Sequence, residues 1–317
     1  MTNDTNSMIN KSLNVDALSP IVLFVYNRPR HTRQAMEALR NNELAKDSQL
    51  FVFSDGPRSD DDKKTVQQVR EYIKSVEGFK NVTLFERDRN VGLAQSIISG
   101  VTDIVNQFGK IIVLEDDLIT SQYFLSYMNQ ALELYQNETR VMHISGSIYP
   151  IDTFPSEETF FLRIPLCWGW GTWKRAWDLF EKKFEILEKF DRPMKEMFDF
   201  DGTYPYWKQL EMNHKRQLST WFVFWYATVF LKNGLALFPK ESLVKNIGHD
   251  GSGIHCGRSD AYDVEISLHH IEVLPIPVQE SIEAFMMHKK YFRTINLGYH
   301  RRIVNKIIHM TKRYFCD

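Results

Sequence analysis

Four short apolar runs, each parted from the next by a stretch of helical periodicity, constrain the first half of this chain more than any other feature. Ile21–Tyr26 is continuously apolar, as a strand covered on both faces of a parallel sheet must be. Leu50–Ser54, Val82–Glu86 and Lys110–Leu114 repeat the pattern. Between them, Arg30 to Asn41 reads as a helix. The acids Asp60–Asp62 suit the positive N-terminus of a second helix, and Val66, Val69, Ile73 and Val76 give it an apolar face. Gly92–Phe108 places Leu93, Ile97, Val101, Ile104 and Val105 along one side of a third. Ser121–Tyr135 and Val141–Ser145 add a further helix and strand. Such alternation predicts an α/β fold with a mostly parallel sheet flanked by helices. Sheets of this class bind ligands beyond the carboxyl ends of their strands. Asn27-Arg28, Asp55-Gly56, the Arg87–Asn90 stretch and Glu115-Asp116-Asp117 each follow one of the four runs, so all are expected on one rim.

From residue 151 the pattern loosens into an irregular α+β half. Phe160–Ile164 reads as a strand, Lys174–Phe190 and Tyr204–His214 as helices, and Trp221–Asn233 as an aromatic helix. Leu235–Phe238 and Leu243–Ile247 read as short strands before a glycine-rich loop, His249 to His255. The expected organisation is a disordered polar tail over 1–18, one domain in two halves over 19–150 and 151–278, and a basic helical tail over 279–317. A net charge of -1 gives no general attraction to nucleic acid, and none is expected as a partner. Cys167, Cys256 and Cys316 are too few and too scattered for a disulfide framework and suit a reducing, cytoplasmic setting. Residues 1–18 lack the apolar core of an export signal, and no run reaches the roughly 18 apolar residues of a spanning helix.

Three consecutive acids at the tip of a buried strand are costly unless something neutralises them. Side chains alternate along a strand, so Glu115 and Asp117 point to one side and Asp116 to the other. A hard divalent cation shared with a phosphate group is a natural neutraliser, Mn2+ or Mg2+ being suited to oxygen ligands. The plainer alternative is an acidic helix start, since a helix begins near Ser121.

Val113-Leu114-Glu115-Asp116-Asp117-Leu118, followed by Phe124, resembles the metal-binding signature of GT-A glycosyltransferases. The form is that of eukaryotic β-1,2-N-acetylglucosaminyltransferases and bacterial family 2-like sugar transferases. The resemblance covers roughly residues 19–150, with Val141–Pro150, Trp168–Trp177 and Leu235–Cys256 similar to the bacterial subgroup. It implies a GT-A, Rossmann-like fold with a nucleotide-sugar half and an acceptor-side half. It further implies that Asp117 ligates the metal, Asp116 approaches the ribose and Glu115 touches the sugar. Tyr26-Asn27-Arg28-Pro29 resembles the segment over the uracil and diphosphate, where Arg28 suits phosphate. As plain chemistry, Asn and Pro also favour turns. The resemblance has Asp55 accept from the base and sets Asn90 and Gly92 beside the nucleotide, a glycine permitting close backbone approach.

Cys167-Trp168-Gly169-Trp170-Gly171-Thr172-Trp173 suggests a loop whose aromatic faces pack on acceptor or donor sugar, with Trp168 and Trp170 as the acceptor-side candidates and a core cluster as the plainer alternative. Trp173 and Trp177, at helical spacing, fit a core. In many GT-A enzymes a C-terminal loop closes on the donor, in some of them with a histidine ligand, and the resemblance makes His255 or His249 the candidate. The resembling family opens its aromatic helix with an Asp that serves as general base. Here that place reads Ser219-Thr220-Trp221, so Asp250 or Glu211 is the expected substitute. The implied activity is inverting transfer of a hexosyl or N-acetylhexosaminyl group from a nucleotide-sugar, expected to be UDP-linked, to a glycan or lipid-linked oligosaccharide in surface polysaccharide synthesis. A sugar nucleotidyltransferase would want a glycine-rich phosphate loop after the first strand, which Tyr26-Asn27-Arg28-Pro29 is not. A non-catalytic glycan- or nucleotide-sugar-binding relative is kept open by the missing acid. From Lys289 to Arg313 stand eight Lys or Arg and no acid, and Ile303, Ile307, Met310 and Tyr314 recur at helical spacing. Such a segment suggests peripheral docking on an anionic membrane face, or simply a terminal helix with a solvated basic side.

Overall fold

The strand Ile21–Val25 (β1) has every residue buried, because neighbours cover both its faces. In this computed structural model residues 17–151, 155–251 and 259–295 are described. β1 pairs in parallel with Gln49–Ser54 (β2) on one side and Lys110–Glu115 (β4) on the other, Leu23 facing both Val52 and Leu114. Asn81–Glu86 (β3) extends the sheet in parallel beyond β2. The intervening helices are Pro29–Arg40 (α1), Asp60–Lys74 (α2) and Leu93–Phe108 (α3). The pairings Val25 with Ser54 and Phe24 with Glu115 bring the ends of β1, β2 and β4 level, which fixes the rim that matters for function.

Leu118–Thr120 (β5), the helix Phe124–Leu134 (α4) and Val141–Ser145 (β6) follow. Thr159–Leu162 (β7), Trp170–Trp173 (β8) and Leu235–Pro239 (β9) complete one eight-stranded sheet, in the order β3-β2-β1-β4-β8-β6-β9-β7. The two sequence halves therefore share a sheet. β8 runs antiparallel between β4 and β6, and β7 antiparallel to β9, so parallel order holds for the first four strands and a mixed order beyond them. The fold is α/β, a large mixed sheet flanked by helices.

Period-two alternation assigns β1's side chains to two cores. Ile21, Leu23 and Val25 join Met36 and Leu39 of α1 and Leu125 and Met128 of α4. Val22 and Phe24 join Ile97, Val101 and Ile104 of α3 on the other face, together with Trp225 and Val229 of Phe222–Leu231 (α8). Each such side chain, fully buried, contributes about 1.5–3 kcal/mol. A third core lies against β7 and β9 and takes in Phe198 of Arg192–Phe198 (α6) and Leu210 of Tyr206–His214 (α7).

Three expectations change. The tryptophan-glycine segment is not a loop over Trp170–Trp173 but an interior strand, with Gly171 opposite Ile112. Lys174–Phe190 is not one helix: Lys174–Trp177 (α5) is a single turn, after which Phe180 folds back to stack on Trp177 at 4.6 Å. Residues 282–295, placed in a basic tail, form a helix that buries Ala284, Phe285 and Phe292 in the third core. Arg163 pairs with Glu280, and Lys289 with Asp201 at 2.9 Å, tying that helix to the body. Residues 1–16 and 296–317, which hold most of the expected tails, lie outside the described residues. No helix among the described residues is long and apolar enough to cross a membrane.

Candidate active site

The level ends of β1, β2 and β4 open into a cleft of about 290 Å3. Asn27, Arg28, Asp55, Asn90, Gly92 and all three consecutive acids line it, as does Trp168. Parallel pairing explains why residues so far apart in sequence meet here.

Arg28 immediately precedes α1, and its Nη2 donates to Asp116 Oδ1 and, at 2.9 Å, to Asp117 Oδ2. The three side chains are 20%, 5% and 15% exposed. Burial works against the guanidinium's charge, but Asp116 and Asp117 outweigh it and hold Arg28 protonated. Burial pushes the Glu115 carboxyl well above the carboxylate range, and the charges of Asp117 and Asp116 push it further against the pull of Arg28. Asp116 is also raised, chiefly by burial, with Arg28 opposing. The Arg28 guanidinium thus bonds two of the three carboxyls and pulls electrostatically on the third.

Gly248 and His249 bring a second element to these acids. Val244–Asn246 (β10) pairs antiparallel with β5, and Ile247 N–H donates to the Asp117 carbonyl at 2.9 Å. Asn246 Oδ1 accepts the Gly248 N–H at 2.7 Å, turning the chain over Asp117. A Cβ at Gly248 would lie 2.1 Å from Asp117 Oδ2, so the approach needs glycine. The His249 ring stacks on Tyr262 at 5.0 Å, and Trp168 meets both edge-on at 5.6 and 5.5 Å. Burial lowers the His249 pKa, with Asp117 pulling the other way.

Asp55 is occupied in a way the sequence did not suggest. Its Oδ1 accepts from the Gly56 and Val91 N–H groups at 2.9 and 3.0 Å, and its Oδ2 from Gly92 N–H at 3.0 Å. The carboxylate holds the loop that starts α3, where Gly92 adopts φ 82, a conformation open to glycine. Asn90 Nδ2 donates to the Gly56 carbonyl at 3.0 Å and closes the same loop. Asn27 Nδ2 and Tyr26 Oη both donate to Asp62, in the first turn of α2, at 2.7 Å.

Other expected residues lie elsewhere. Trp170 is 1% exposed and stacks between Trp221 at 5.2 Å and His143 at 5.3 Å, because its position in β8 turns it into the core. It does not line the cleft, where the acceptor contact was expected. Glu211 accepts from Trp207 Nε1 at 2.8 Å on α7 and does not line the cleft. Asp250 is 49% exposed, pairs with His31 at 3.2 Å and likewise lies off the lining. His255 is outside the described residues. Ser219, Thr220 and Trp221 do line the cleft, so the place where the resembling family carries its acid faces the site without one. Arg58 and Asn246 also line it and were missed. Arg58 follows the β2 end by the same logic that found Asp55, whereas nothing in the sequence singles out Asn246.

Among the described residues no three acid, histidine or cysteine side chains converge as a metal-holding group. The donors nonetheless fit a divalent cation in kind. Asp116 Oδ2 and His249 Nε2 are both buried without a hydrogen-bond partner, beside Asp117. Carboxylate oxygens and a neutral imidazole suit Mn2+, and the oxygens suit Mg2+.

No protein-family model and no curated protein matches the sequence. Among solved structures, part of the chain matches TarS of S. aureus, at 13% identity and a TM-score of 0.28, over 39% of this chain and 21% of that one. Another match is the mannosyltransferase PcManGT from Pyrobaculum calidifontis, solved with GDP-Man and Mn2+, at 11% identity and a TM-score of 0.34, over 58% of this chain and 51% of that one. The matched regions thus span 21% and 51% of those proteins' lengths.

Proposed function

We propose that the chain is a metal-dependent, inverting glycosyltransferase that moves a sugar from a nucleotide-sugar to a glycan or lipid-linked oligosaccharide, with the nucleoside diphosphate as leaving group. One observation carries this: a cleft at the carboxyl ends of parallel strands where four carboxyls face two guanidiniums and Arg28 is shared between Asp116 and Asp117, with one buried carboxylate oxygen unpartnered. Such a floor is short of positive charge, and a cation shared with a diphosphate would supply it. The motif resemblance points to the same chemistry.

In this scheme Asp117 and Asp116 would hold Mn2+ or Mg2+, with His249 as the nitrogen donor. When bound, the ion neutralises charge growing on the leaving diphosphate. Arg28 and Asn27 contact the diphosphate from the β1 end, and Arg28 stays charged throughout. Asp55 keeps Asn90 and Gly92 against the nucleotide by anchoring their loop. Glu115, whose carboxyl makes no hydrogen bond among the described residues, faces the donor sugar. Trp168 offers an aromatic surface to the acceptor. The basic residues from Arg301 to Arg313 would hold the chain at an anionic membrane face. Unchanged vesicle binding after removal of residues 300–317 would refute that part.

The test is transfer and donor hydrolysis across a panel of nucleotide-sugars with and without Mn2+. Asp117→Ala is expected to lower turnover at least about 100-fold, about 2.7 kcal/mol of barrier. Near-normal turnover in that variant would remove the metal role. Hydroxyls rather than a carboxylate at Ser219 and Thr220 favour a second reading, a binding protein without catalysis. Tight nucleotide-sugar binding with no turnover for any acceptor or water would establish it.

A further inference from the structure

Arg28 does more at this site than a phosphate contact requires. Its side chain is four-fifths buried, and a single nitrogen, Nη2, donates to both Asp116 and Asp117. Those are the carboxylates to which the function proposed above assigns the cation. Asp117 Oδ2 also lies against Gly248, where a Cβ would come within 2.1 Å of it. Asp116 offers one oxygen to Arg28 and keeps the other buried without a partner. The guanidinium therefore stands between the oxygens that a metal would have to draw together, and repels any cation that enters.

We propose that Arg28 is a resident counter-ion that exchanges with the metal. In the ligand-free chain it holds Asp116 and Asp117. A nucleoside diphosphate offers it a better anion and draws it off them, freeing both carboxylates for a divalent cation. Two charged groups exchange partners, and neither Asp116 nor Asp117 is left without a counter-ion at any stage. Metal binding without nucleotide is then weak, and metal and diphosphate bind with positive coupling, each raising the other's affinity by the same factor. The proposal rests on the metal-dependent reading of the cleft.

The experiment is Mn2+ binding to the full chain without nucleotide, read from the electron paramagnetic resonance of the free ion. Arg28→Gln is expected to bind Mn2+ at least tenfold more tightly than the wild type, and Asp117→Asn in that background to abolish the gain. Arg28→Lys restores the positive charge and is expected to return affinity to within threefold of wild type. Thermal melting adds a second readout. Arg28→Gln, with its acids unpaired, is expected to melt lower than wild type and to be restored by Mn2+, while wild type without nucleotide barely responds. Equal Mn2+ affinity in wild type and Arg28→Gln, with binding present, overturns the exchange and leaves the metal site standing. Lysine binding as tightly as glutamine overturns it too. If neither the wild type nor Arg28→Gln binds Mn2+, the metal reading falls and the exchange falls with it.

Discussion

Gly248 shows how much of a site can rest on one missing methyl group. The turn after β10 lies so close to Asp117 that an alanine Cβ would come within 2.1 Å of the carboxylate's Oδ2. Neither atom can tolerate that distance, and the lighter adjustment is for the Asp117 side chain to swing away. Gly248→Ala is therefore expected to keep the fold and lose the chemistry. Turnover should fall at least about tenfold, equivalent to about 1.4 kcal/mol, as a displaced acid no longer meets its ligand. Steady-state kinetics beside a circular-dichroism melt would check it. Unchanged turnover would show that Asp117 does not act from this position. The acids themselves were legible in the sequence because three charges at the tip of an apolar strand demand a partner. The glycine's role was not, since it exists only through the pairing of β5 with β10, which no local pattern announces.

At the scale of elements, the same contrast runs between strand ends and strand pairings. Asn27, Arg28, Asp55, Asn90 and the acids could be placed on one rim because parallel strands separated by helices must end on the same side. Trp170 could not be placed, because Trp-Gly-Trp-Gly reads as a loop until β8 is seen slotted between β4 and β6. One local clue existed: Trp170 and Thr172 must share a strand face, while Gly171 and Trp173 share the other. Asp55 belongs to this scale as well. It joins the end of β2 to the start of α3 by three backbone N–H groups that no other side chain satisfies in the hydrogen bonds made there. Asp55→Ala would leave one buried and two part-buried donors without a charged acceptor. A loss of about 2–4 kcal/mol is expected in urea unfolding, from the cost of stranded buried groups. A loss below about 0.5 kcal/mol, within the range of ordinary surface changes, would show that the loop is held by other means.

For the whole molecule, the sheet that joins the two halves carries a pH signature. His143 on β6 is fully buried where β8 and α8 meet. Its Nδ1 accepts from Trp225 Nε1 at 3.1 Å, so Nε2 bears the proton given to the Leu166 carbonyl at 3.0 Å. Both nitrogens are committed to the neutral form, and burial lowers the pKa from 6.5 to about 3. His288, in the helix over the third core, is lowered by burial to about 4. The unfolded chain binds protons at these histidines below pH 6.5 while the folded chain refuses them. Their contribution to stability is therefore complete above 6.5 and drains away as pH falls toward 3. Glu115, Asp116 and Asp199 are raised, chiefly by burial, so their contribution runs the opposite way and weakens as pH rises. The opposed slopes make a single titration of stability ambiguous, and a difference between two proteins resolves it. Gln at position 143 can accept from Trp225 and donate to Leu166 without titrating. Urea unfolding of wild type and His143→Gln between pH 6.5 and 4 should give curves that diverge by up to about 1.4 kcal/mol per pH unit, wild type falling faster toward acid. Parallel curves would mean that the histidine takes its proton in the folded state, and that the interior joining the two halves is wetter than its burial suggests.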